Sequence, residues 1–456
     1  MFRAFTKAQS IISKFKYGNG NENGNIRLFT TIRKISNSEY LINKEMKYGA
    51  HNYQPIPVVI DRTEGSHVWD ADNKHYYDFL SAYSAVNQGH LHPELVRVTI
   101  EQLKKCTLTS RAFHNSVFPE FAEKITKLFN YDKVLPMNTG AEAVETAIKI
   151  ARKWGYEKKG IQKNKAQVVV ANGCFHGRTT LCISLSDDPT SYSGFGPYVP
   201  NITHVNFNNL NHLKKVIAEN ENICAVMFEP IQGEAGVIVP DKGYLSEVHK
   251  LCRQNNILFI ADEVQTGLGR TGKLLASHWD DVHADITILG KALGGGIFPV
   301  SAVLANDDIM DVMTPGIHGS TFGGNPLACK IAIKALDIIL DEELCEKANS
   351  LGEIFRNRLI ELDSPYIKEV RGKGLLNAVE LKTDNIYDGD HFCKELVVNQ
   401  GILCKPTHKK IIRFAPPLTF DNSEFNDCLN KICSVFKKDY VFHDLEYEKL
   451  ERSSNL

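Results

Sequence analysis

Apolar residues recur along the chain with two alternating periods, and each period predicts one type of element. Ala147, Ile148 and Ala151 lie three, four and seven positions after Val144, which places all four on one stripe of a helix. Short, largely apolar runs occupy residues 168–170, 223–228, 257–261 and 286–289. Such runs, alternating with helical stretches, are typical of parallel strands buried between helices. The pattern therefore predicts an α/β fold.

The same pattern indicates where the domains begin and end. We expect a large domain with a mostly parallel sheet between helices at residues 85–328. A long helical pattern begins at Pro326. Residues 329–437 are therefore expected to form a smaller α+β domain, to which residues 36–84 add an N-terminal segment. Residues 438–456 are expected to be a charged extension.

Composition and charge exclude several classes of protein. The 456 residues carry 53 Lys and Arg against 54 Asp and Glu, a formal net charge of -1 that gives no reason to expect a nucleic-acid partner. The apolar runs are far shorter than the roughly 18 residues needed to cross a bilayer, so no membrane span is expected. The 11 cysteines form no Cys-x-x-Cys pair, and we interpret them mainly as reduced core residues.

The first residues differ in composition from the rest. Residues 1–38 hold seven basic side chains and one acidic side chain, Glu22. A basic, serine-containing and acid-poor segment is typical of a mitochondrial transit peptide. We assign that role to residues 1–35 and expect the mitochondrial matrix as the location. The alternative is a disordered tail on a cytoplasmic protein, since residues 18–25 contain only Gly, Asn and one Glu.

Ionisable residues follow three of the predicted strands, and the first is Glu229, directly after the run 223–228. Asp262 ends the apolar run 257–261, where a buried carboxylate must be paired and could hold the protonated nitrogen of a pyridine ring. Lys291 lies between the next run and a glycine-rich turn, so partial desolvation would lower its pKa and favour the reactive free amine. Taken singly, an N-cap aspartate and an ordinary surface lysine remain alternative interpretations.

A third feature is the start of the helix that contains Val144. Thr139-Gly140-Ala141 lead into this helix, and free backbone N–H groups at a helix start bind anions such as phosphate. Thr139 and Glu142 also fit a capping box, which needs no ligand. It is the combination of an anion site, a buried acid and a strand-end lysine that indicates pyridoxal 5'-phosphate as the cofactor.

Two other patterns do not amount to a site. His90 with His92, and Cys174 with His176, have loose metal-ligand spacing, but no third ligand group accompanies either pair, so no metal site is expected. The glycines at 294–296 follow a lysine and do not precede one, so they are not a P-loop.

These motifs match a known family. Residues 258–272 read LFIADEVQTGLGRTG, and Lys291 follows 29 positions after Asp262. This arrangement resembles the signature of the class III aminotransferases, which are fold-type I enzymes dependent on pyridoxal phosphate. Further blocks that are similar to this family lie at residues 48–53, 79–90, 108–113, 133–140, 229–236 and 413–417.

The resemblance implies a role for each matching residue. Lys291 would form a Schiff base with the cofactor and later transfer protons, and Asp262 would pair with the ring nitrogen. Ser320 and Thr321 would reach the phosphate across the interface of a homodimer. The full set implied to hold the cofactor is Thr139, Gly140, Ala141, Phe175, Asp262, Gln265, Lys291, Ser320 and Thr321. The residues implied to contact substrates are Tyr53, Tyr83, Arg178, Glu234 and Arg413.

The resemblance also implies a substrate pair. The blocks match best the branch of the family that moves the terminal amino group of ornithine to 2-oxoglutarate. An exposed arginine would bind ornithine by its α-carboxylate and present the wrong amine, so Glu234 would mask Arg413 until the diacid glutamate binds. The alternatives are a class III enzyme for acetylornithine or 4-aminobutyrate, or a non-catalytic homologue that binds the cofactor.

Overall fold

The computed structural model describes residues 35–383 and 387–442. The expected transit peptide therefore lies almost wholly outside the described residues, and so does most of the expected charged extension. None of the helices in these ranges is both long and apolar enough to cross a membrane.

Helices and strands alternate along most of the described chain. The strands are β1 (Ile60–Glu64), β2 (His67–Asp70), β3 (His75–Asp78), β4 (Lys133–Met137), β5 (Gln167–Ala171), β6 (Ile202–Val205), β7 (Ile223–Phe228), β8 (Leu258–Asp262), β9 (Ile286–Leu289), β10 (Ser301–Ala305), β11 (Ile367–Lys373), β12 (Leu376–Leu381), β13 (Ile402–Leu403), β14 (Lys405–Thr407) and β15 (Ile411–Phe414). The helices are α1 (Asn37–Tyr48), α2 (Ser81–Ser84), α3 (Pro93–Leu103), α4 (Phe118–Phe129), α5 (Gly140–Glu157), α6 (Thr180–Ser184), α7 (Pro189–Tyr192), α8 (Leu210–Glu219), α9 (Tyr244–Gln254), α10 (Asp307–Met310), α11 (Pro326–Asp341), α12 (Leu344–Glu361), α13 (Gly389–Asn399) and α14 (Asn422–Val435). Two short 3-10 helices span Ala276–Asp280 and Lys291–Gly294.

The large sheet has seven strands in the order β4-β10-β9-β8-β7-β5-β6. The five strands β9, β8, β7, β5 and β6 run parallel to one another, and they include all four of the apolar runs noted in the sequence. Strand β10 is antiparallel to both β9 and β4. The predicted α/β fold with a mostly parallel sheet is confirmed, with one antiparallel strand inserted near an edge.

Alternating side chains of the parallel strands enter two different cores, as the pleat of a strand requires. Val168 and Val170 pack with the stripe on α5 that begins at Val144. Val169 points to the opposite face and packs with side chains of α8 and α9 such as Leu213 and Val248. The sheet is thus covered by helices on both faces, which explains why its strands lack a polar face.

The second sheet is antiparallel and has four strands in the order β11-β12-β15-β14. The third sheet has four strands in the order β1-β2-β3-β13. The C-terminal sheet places Arg413 on β15, opposite Ala378 of β12. Helices α11 to α14 share a large core with this part of the chain. The described residues divide into two compact units: residues 35–61 with Asp70–Lys74, and Arg62–Trp69 with the described residues from His75 onward. The finer boundaries given above, 36–84, 85–328 and 329–437, stay a prediction.

Arg270 connects distant parts of the second unit. Its side chain is fully buried and donates to Oδ1 of Asn87 at 2.6 Å and to the carbonyl oxygens of Leu375 at 2.9 Å and Pro416 at 2.7 Å. No carboxylate accepts from this guanidinium among the described residues, and burial lowers its pKa to about 9. The planar fork of an arginine is what lets one side chain satisfy three acceptors in different directions.

We expect Arg270→Lys to lower the free energy of unfolding by about 2 kcal/mol or more, because an ammonium group leaves buried acceptors unpaired. Chemical denaturation of the purified protein measures this. Arg97→Lys is the matched control, since Arg97 lies exposed on α3 with Glu94 and Glu101. Equal stability of the two variants would contradict the connecting role of Arg270.

Candidate active site

The candidate site lies at the carboxyl ends of neighbouring parallel strands. Glu229 follows β7, Asp262 is the last residue of β8, and Lys291 comes two residues after β9. Because β7, β8 and β9 are parallel neighbours, these ends meet at one edge of the sheet. The spatial meeting of Asp262 and Lys291 that the strand pattern suggested is therefore present.

Asp262 is 4% exposed and is held from two sides. Its Oδ2 accepts a hydrogen bond from Nδ1 of His176 at 2.6 Å, and its Oδ1 accepts from the Val264 backbone N–H at 3.1 Å. Burial opposes protonation of His176, but Cys174 and Asp262 outweigh it and raise the pKa of the imidazole well above its usual value. The hydrogen bonds from His176 and Val264 fix the orientation of the Asp262 carboxylate.

Lys291 has the environment of a reactive amine. Burial lowers the pKa of its ammonium group to about 8, although the charges of Glu234, Asp262 and Glu229 act in the opposite direction. Its backbone has a positive φ of 43°, which is unfavourable for a residue with a Cβ. Strained backbone of this kind is tolerated mainly where function requires it.

The start of α5 combines both interpretations that the sequence allowed. Thr139 and Glu142 form the capping box, with Thr139 N–H donating to Glu142 Oε2 at 2.7 Å and Glu142 N–H donating to Thr139 Oγ1 at 3.2 Å. The next two amides, of Gly140 and Ala141, donate to no acceptor in the described ranges. Two free N–H groups at the start of an 18-residue helix remain available to an anion.

Gln265 and Gly233 lie in close contact beside the strand ends. Gln265 is 8% exposed, and a Cβ added to Gly233 would lie 2.1 Å from its Oε1 atom. Any other residue at position 233 would displace the Gln265 side chain. Because Gly233 packs against Gln265, the next residue in the chain, Glu234, lies beside the strand ends that carry Asp262 and Lys291.

Glu234 and Arg413 form the ion pair that the resemblance implied. Arg413 Nη1 lies 2.9 Å from Glu234 Oε1, and the side chains are 5% and 31% exposed, respectively. Burial opposes ionisation of Glu234, but Arg413, Lys291 and Arg178 outweigh it and lower the pKa of the carboxyl. The Tyr83 ring lies over the Arg413 guanidinium with its centroid 5.0 Å away, a cation–π contact.

The turn that places Tyr83 is strained. Ser81, Ala82, Tyr83 and Ser84 all have positive φ angles, of 47°, 45°, 59° and 74°. α2 is therefore a left-handed turn made without glycine. Left-handed backbone costs roughly 1–2 kcal/mol for each such residue, so the surrounding contacts must compensate for it.

Phe175 and Arg178 lie on the segment between β5 and α6. The Arg178 guanidinium is 5.4 Å from the centroid of the Phe175 ring, and Arg178 is exposed. The Phe175 backbone N–H donates to Oε2 of Glu229 at 3.0 Å. Glu229 and His176 were not among the predicted site residues. The signal that could have identified Glu229 is its position directly after a buried strand, the same as that of Asp262.

The remaining predicted site residues are Ser320, Thr321 and Tyr53, and a hydrogen bond places Ser320 beside Asn138, which directly precedes Thr139. Ser320 Oγ accepts from Asn138 Nδ2 at 2.8 Å, and Thr321 is exposed. Tyr53 belongs to the first compact unit and is 77% exposed. Their roles toward cofactor and substrate stay predictions. Within residues 35–383 and 387–442, no three His, Cys, Asp or Glu side chains are placed to hold a metal ion.

Comparison with known proteins identifies the class. The aminotransferase class-III family matches residues 48–436. A mitochondrial ornithine aminotransferase of Rattus norvegicus is 54% identical over 395 residues, which is 87% of this chain and 90% of the relative. The chain belongs to the class-III aminotransferases.

Two solved structures resemble the chain closely. The ornithine aminotransferase of Toxoplasma gondii ME49 has a TM-score of 0.86 at 44% identity, covering 88% of this chain and 96% of that one. The acetylornithine aminotransferase of Elizabethkingia anophelis has a TM-score of 0.80 at 51% identity, covering 88% and 99%.

The strained turn gives a testable prediction. Ala82→Gly should raise the free energy of unfolding by up to about 1 kcal/mol, because glycine adopts positive φ without a Cβ clash and Ala82 is exposed. The same change at Ala218, exposed within α8, should lower it by a similar amount. Thermal and chemical denaturation measure both. Destabilisation of equal size at both positions would show that the turn is not strained.

Proposed function

We propose that this protein transfers the terminal (δ) amino group of L-ornithine to 2-oxoglutarate, giving glutamate 5-semialdehyde and glutamate, with pyridoxal 5'-phosphate as cofactor. The observation that carries the proposal is the Glu234–Arg413 ion pair beside Lys291. Membership of the class-III family and 54% identity to an ornithine aminotransferase support it.

The described residues fit the proposed cofactor. A phosphate suits the free amides of Gly140 and Ala141, and a pyridine nitrogen suits the buried Asp262 carboxylate. Phe175 would stack on the ring and Gln265 would contact its phenolic oxygen. When bound, pyridoxal phosphate supplies an electron sink that stabilises negative charge on a substrate carbon.

The side chains of the protein supply proton transfer, a fixed negative charge and the cations that bind substrate carboxylates. Lys291 provides an amine whose pKa of about 8 allows it both to take up and to return a proton near neutral pH. Asp262, held by His176 at 2.6 Å, keeps a negative charge in place against the ring nitrogen. Arg178 and Arg413 are the cations for substrate carboxylates, and Tyr83 shapes the pocket around Arg413.

The ion pair accounts for two substrates that present different amines. With Arg413 neutralised by Glu234, the α-carboxylate of ornithine gains little there and the δ-amine can lead into the site. Glutamate carries a second carboxylate and therefore competes with Glu234 for Arg413. We propose Tyr53 as a further substrate contact, on the family resemblance alone.

A second candidate donor is acetylornithine, because a structure of an acetylornithine aminotransferase is 51% identical. Acetylation neutralises the α-amine and leaves the α-carboxylate, so the charge argument alone does not separate the two donors. Measuring the activity of the purified holoenzyme with ornithine, acetylornithine and 4-aminobutyrate as donors and 2-oxoglutarate as acceptor separates them. Preference for either of the latter two would overturn the assignment to ornithine, and inactivity with all would favour a non-catalytic homologue.

We further propose that the active protein is a homodimer in which Ser320 and Thr321 of one subunit reach the phosphate site of the other. Phe322 and Phe113 are 49% and 75% exposed. Their segments are neighbours, since Asn115 donates to the carbonyl of Gly324 at 3.5 Å. A partner subunit would cover this apolar surface. A monomer in sedimentation of the full chain would contradict the shared site.

We also propose a mitochondrial location. The support is the basic composition of residues 1–35 and the mitochondrial relative named above. A reporter fused to residues 1–38 should be imported into mitochondria, and a diffuse cytoplasmic signal would contradict the proposal.

The masking role of Glu234 gives a prediction about specificity. Glu234→Ala should leave Arg413 permanently free to bind the α-carboxylate of ornithine, so transfer of the δ-amine should slow while the glutamate half-reaction is kept. A hydrogen bond to a charged group contributes roughly 1.5–3 kcal/mol, so the ratio of the two half-reactions should change about tenfold to a hundredfold.

Stopped-flow measurement of each half-reaction separately tests this prediction. Glu219→Ala, at an exposed position at the end of α8, is the control and should change neither rate. If Glu234→Ala slows both half-reactions equally, Glu234 only supports the structure and the masking is wrong.

A further inference from the structure

Glu229 is a buried carboxylate that the proposed chemistry does not use. It is 5% exposed and accepts two backbone hydrogen bonds, from Phe175 N–H to Oε2 at 3.0 Å and from Gly233 N–H to Oε1 at 3.2 Å. A carboxylate that satisfies one donor with each oxygen links the two segments that carry those donors.

The two segments carry different parts of the site. The first runs from β5 to α6 and presents Phe175, His176 and Arg178. The second is a tight turn in which the Gln232 N–H donates to Ile238 O at 3.1 Å and the Ile238 N–H donates to Gln232 O at 2.9 Å.

Glu234 lies on this second turn, directly after Gly233. A second link runs in parallel, from Gln232 Nε2 to the carbonyl of Asn172 at 2.8 Å. The two segments are thus joined by the side chains of Glu229 and Gln232, but only Glu229 carries a charge.

We propose that Glu229 is a positioning residue that couples the Phe175 segment to the Glu234 turn. The coupling fixes the position of Phe175, which contacts the cofactor ring, relative to Glu234, which masks Arg413. The coupling itself rests on the hydrogen bonds, while its meaning for donor selection rests on the proposed function. Glu229 acts through other residues and is not itself assigned a contact with substrate.

The surroundings of Glu229 make the coupling sensitive to pH. Burial, with the neighbouring charge of Asp262, raises the pKa of its carboxyl to about 7, against the opposing effects of His176 and the two amides. Lys291 is the other charged group that interacts with it. Protonation turns one oxygen into a hydroxyl, which is a poorer acceptor, so one of the two links weakens as the pH falls through about 7.

Hydrogen exchange of the amides tests the coupling without any assay of activity. The variant is Glu229→Gln in the full-length protein without cofactor. The glutamine keeps one acceptor oxygen but turns an N–H₂ group toward the second backbone N–H, so that donor loses its acceptor. The amide exchange rates, corrected for intrinsic rates, should rise about tenfold or more in both segments, residues 173–180 and residues 230–237. If only one segment exchanges faster, Glu229 is a local cap and the coupling is wrong.

A matched control separates coupling from general destabilisation. Glu263 is also a buried carboxylate after β8, 1% exposed, and accepts from the amides of Ala276 at 3.0 Å and Ser277 at 2.8 Å. Glu263→Gln should speed exchange around residues 275–278 and leave the two segments near Glu229 unchanged. If Glu263→Gln loosens those segments equally, the effect is not specific to Glu229 and the proposal is overturned.

The wild-type protein provides a test that does not depend on a variant folding. Its corrected exchange in both segments should increase as the pH is lowered from about one unit above 7 to about one unit below, and Glu229→Gln should remove that dependence. An absence of pH dependence in the wild type would overturn the role assigned to the Glu229 charge.

Donor selection connects the coupling to function. In the holoenzyme, Glu229→Gln should shift the ratio of the ornithine and glutamate half-reactions in the same direction as Glu234→Ala, though less. An unchanged ratio would overturn the functional part of the proposal. Coupled exchange in a protein that does not transaminate ornithine would instead refute the proposed function and leave the positioning role intact.

Discussion

The structure depends on one electrostatic constraint: the buried side chains of Asp262, His176 and Glu229 and the partly buried Lys291 meet at the carboxyl edge of the large sheet, where each charge needs a partner. Asp262 pairs with His176 at 2.6 Å, Glu229 is held by two amides, and Lys291 is influenced by both carboxylates. Isolated charges in such a place would be expensive, whereas a mutually compensating group is tolerated. The parallel register of β7, β8 and β9 is what brings these residues together.

The same edge also holds the least favourable backbone of the site. Lys291 and the four residues of the Ser81–Ser84 turn have positive φ angles, and Gly233 approaches Gln265 so closely that no Cβ would fit. The fully buried Arg270 ties Asn87, just beyond this turn, to the loop after β8 and to the ends of the C-terminal strands. Strain near the site is therefore held in place by hydrogen bonds from a cation that lies outside it.

Most of the parallel strands and two of the residues at their ends could be predicted from the sequence, because they depend on short local patterns of apolar residues. Apolar runs identified β5, β7, β8 and β9, and residues just after a run identified Asp262 and Lys291. Strand β10 also contains an apolar run, residues 302–305, but its antiparallel position between β9 and β4 depends on pairing with β4, far away in the chain. His176 could not be predicted as the partner of Asp262, because the two residues are 86 positions apart and only the fold makes them neighbours. The start of α5 was ambiguous, and the structure shows why: a capping box and free amides coexist there.

The geometry of the ion pair indicates which partner moves. Arg413 is nearly buried on a strand inside a four-stranded sheet, with the Tyr83 ring across its guanidinium. Glu234 is six times more exposed, 31% against 5%, and lies on a turn that a short bridge closes. Moving Arg413 would break its contact with the Tyr83 ring and its hydrogen bond to the Gly233 carbonyl at 3.5 Å, whereas water can solvate a displaced Glu234. A carboxylate that competes for Arg413, as proposed above for glutamate, would therefore displace Glu234 and leave the arginine in place. Under the proposed mask, selection between substrates would depend on how firmly the Glu234 turn is held, and two side chains hold it: Glu229 accepts from the Gly233 N–H, and Arg371 donates to the Gly236 carbonyl at 2.8 Å.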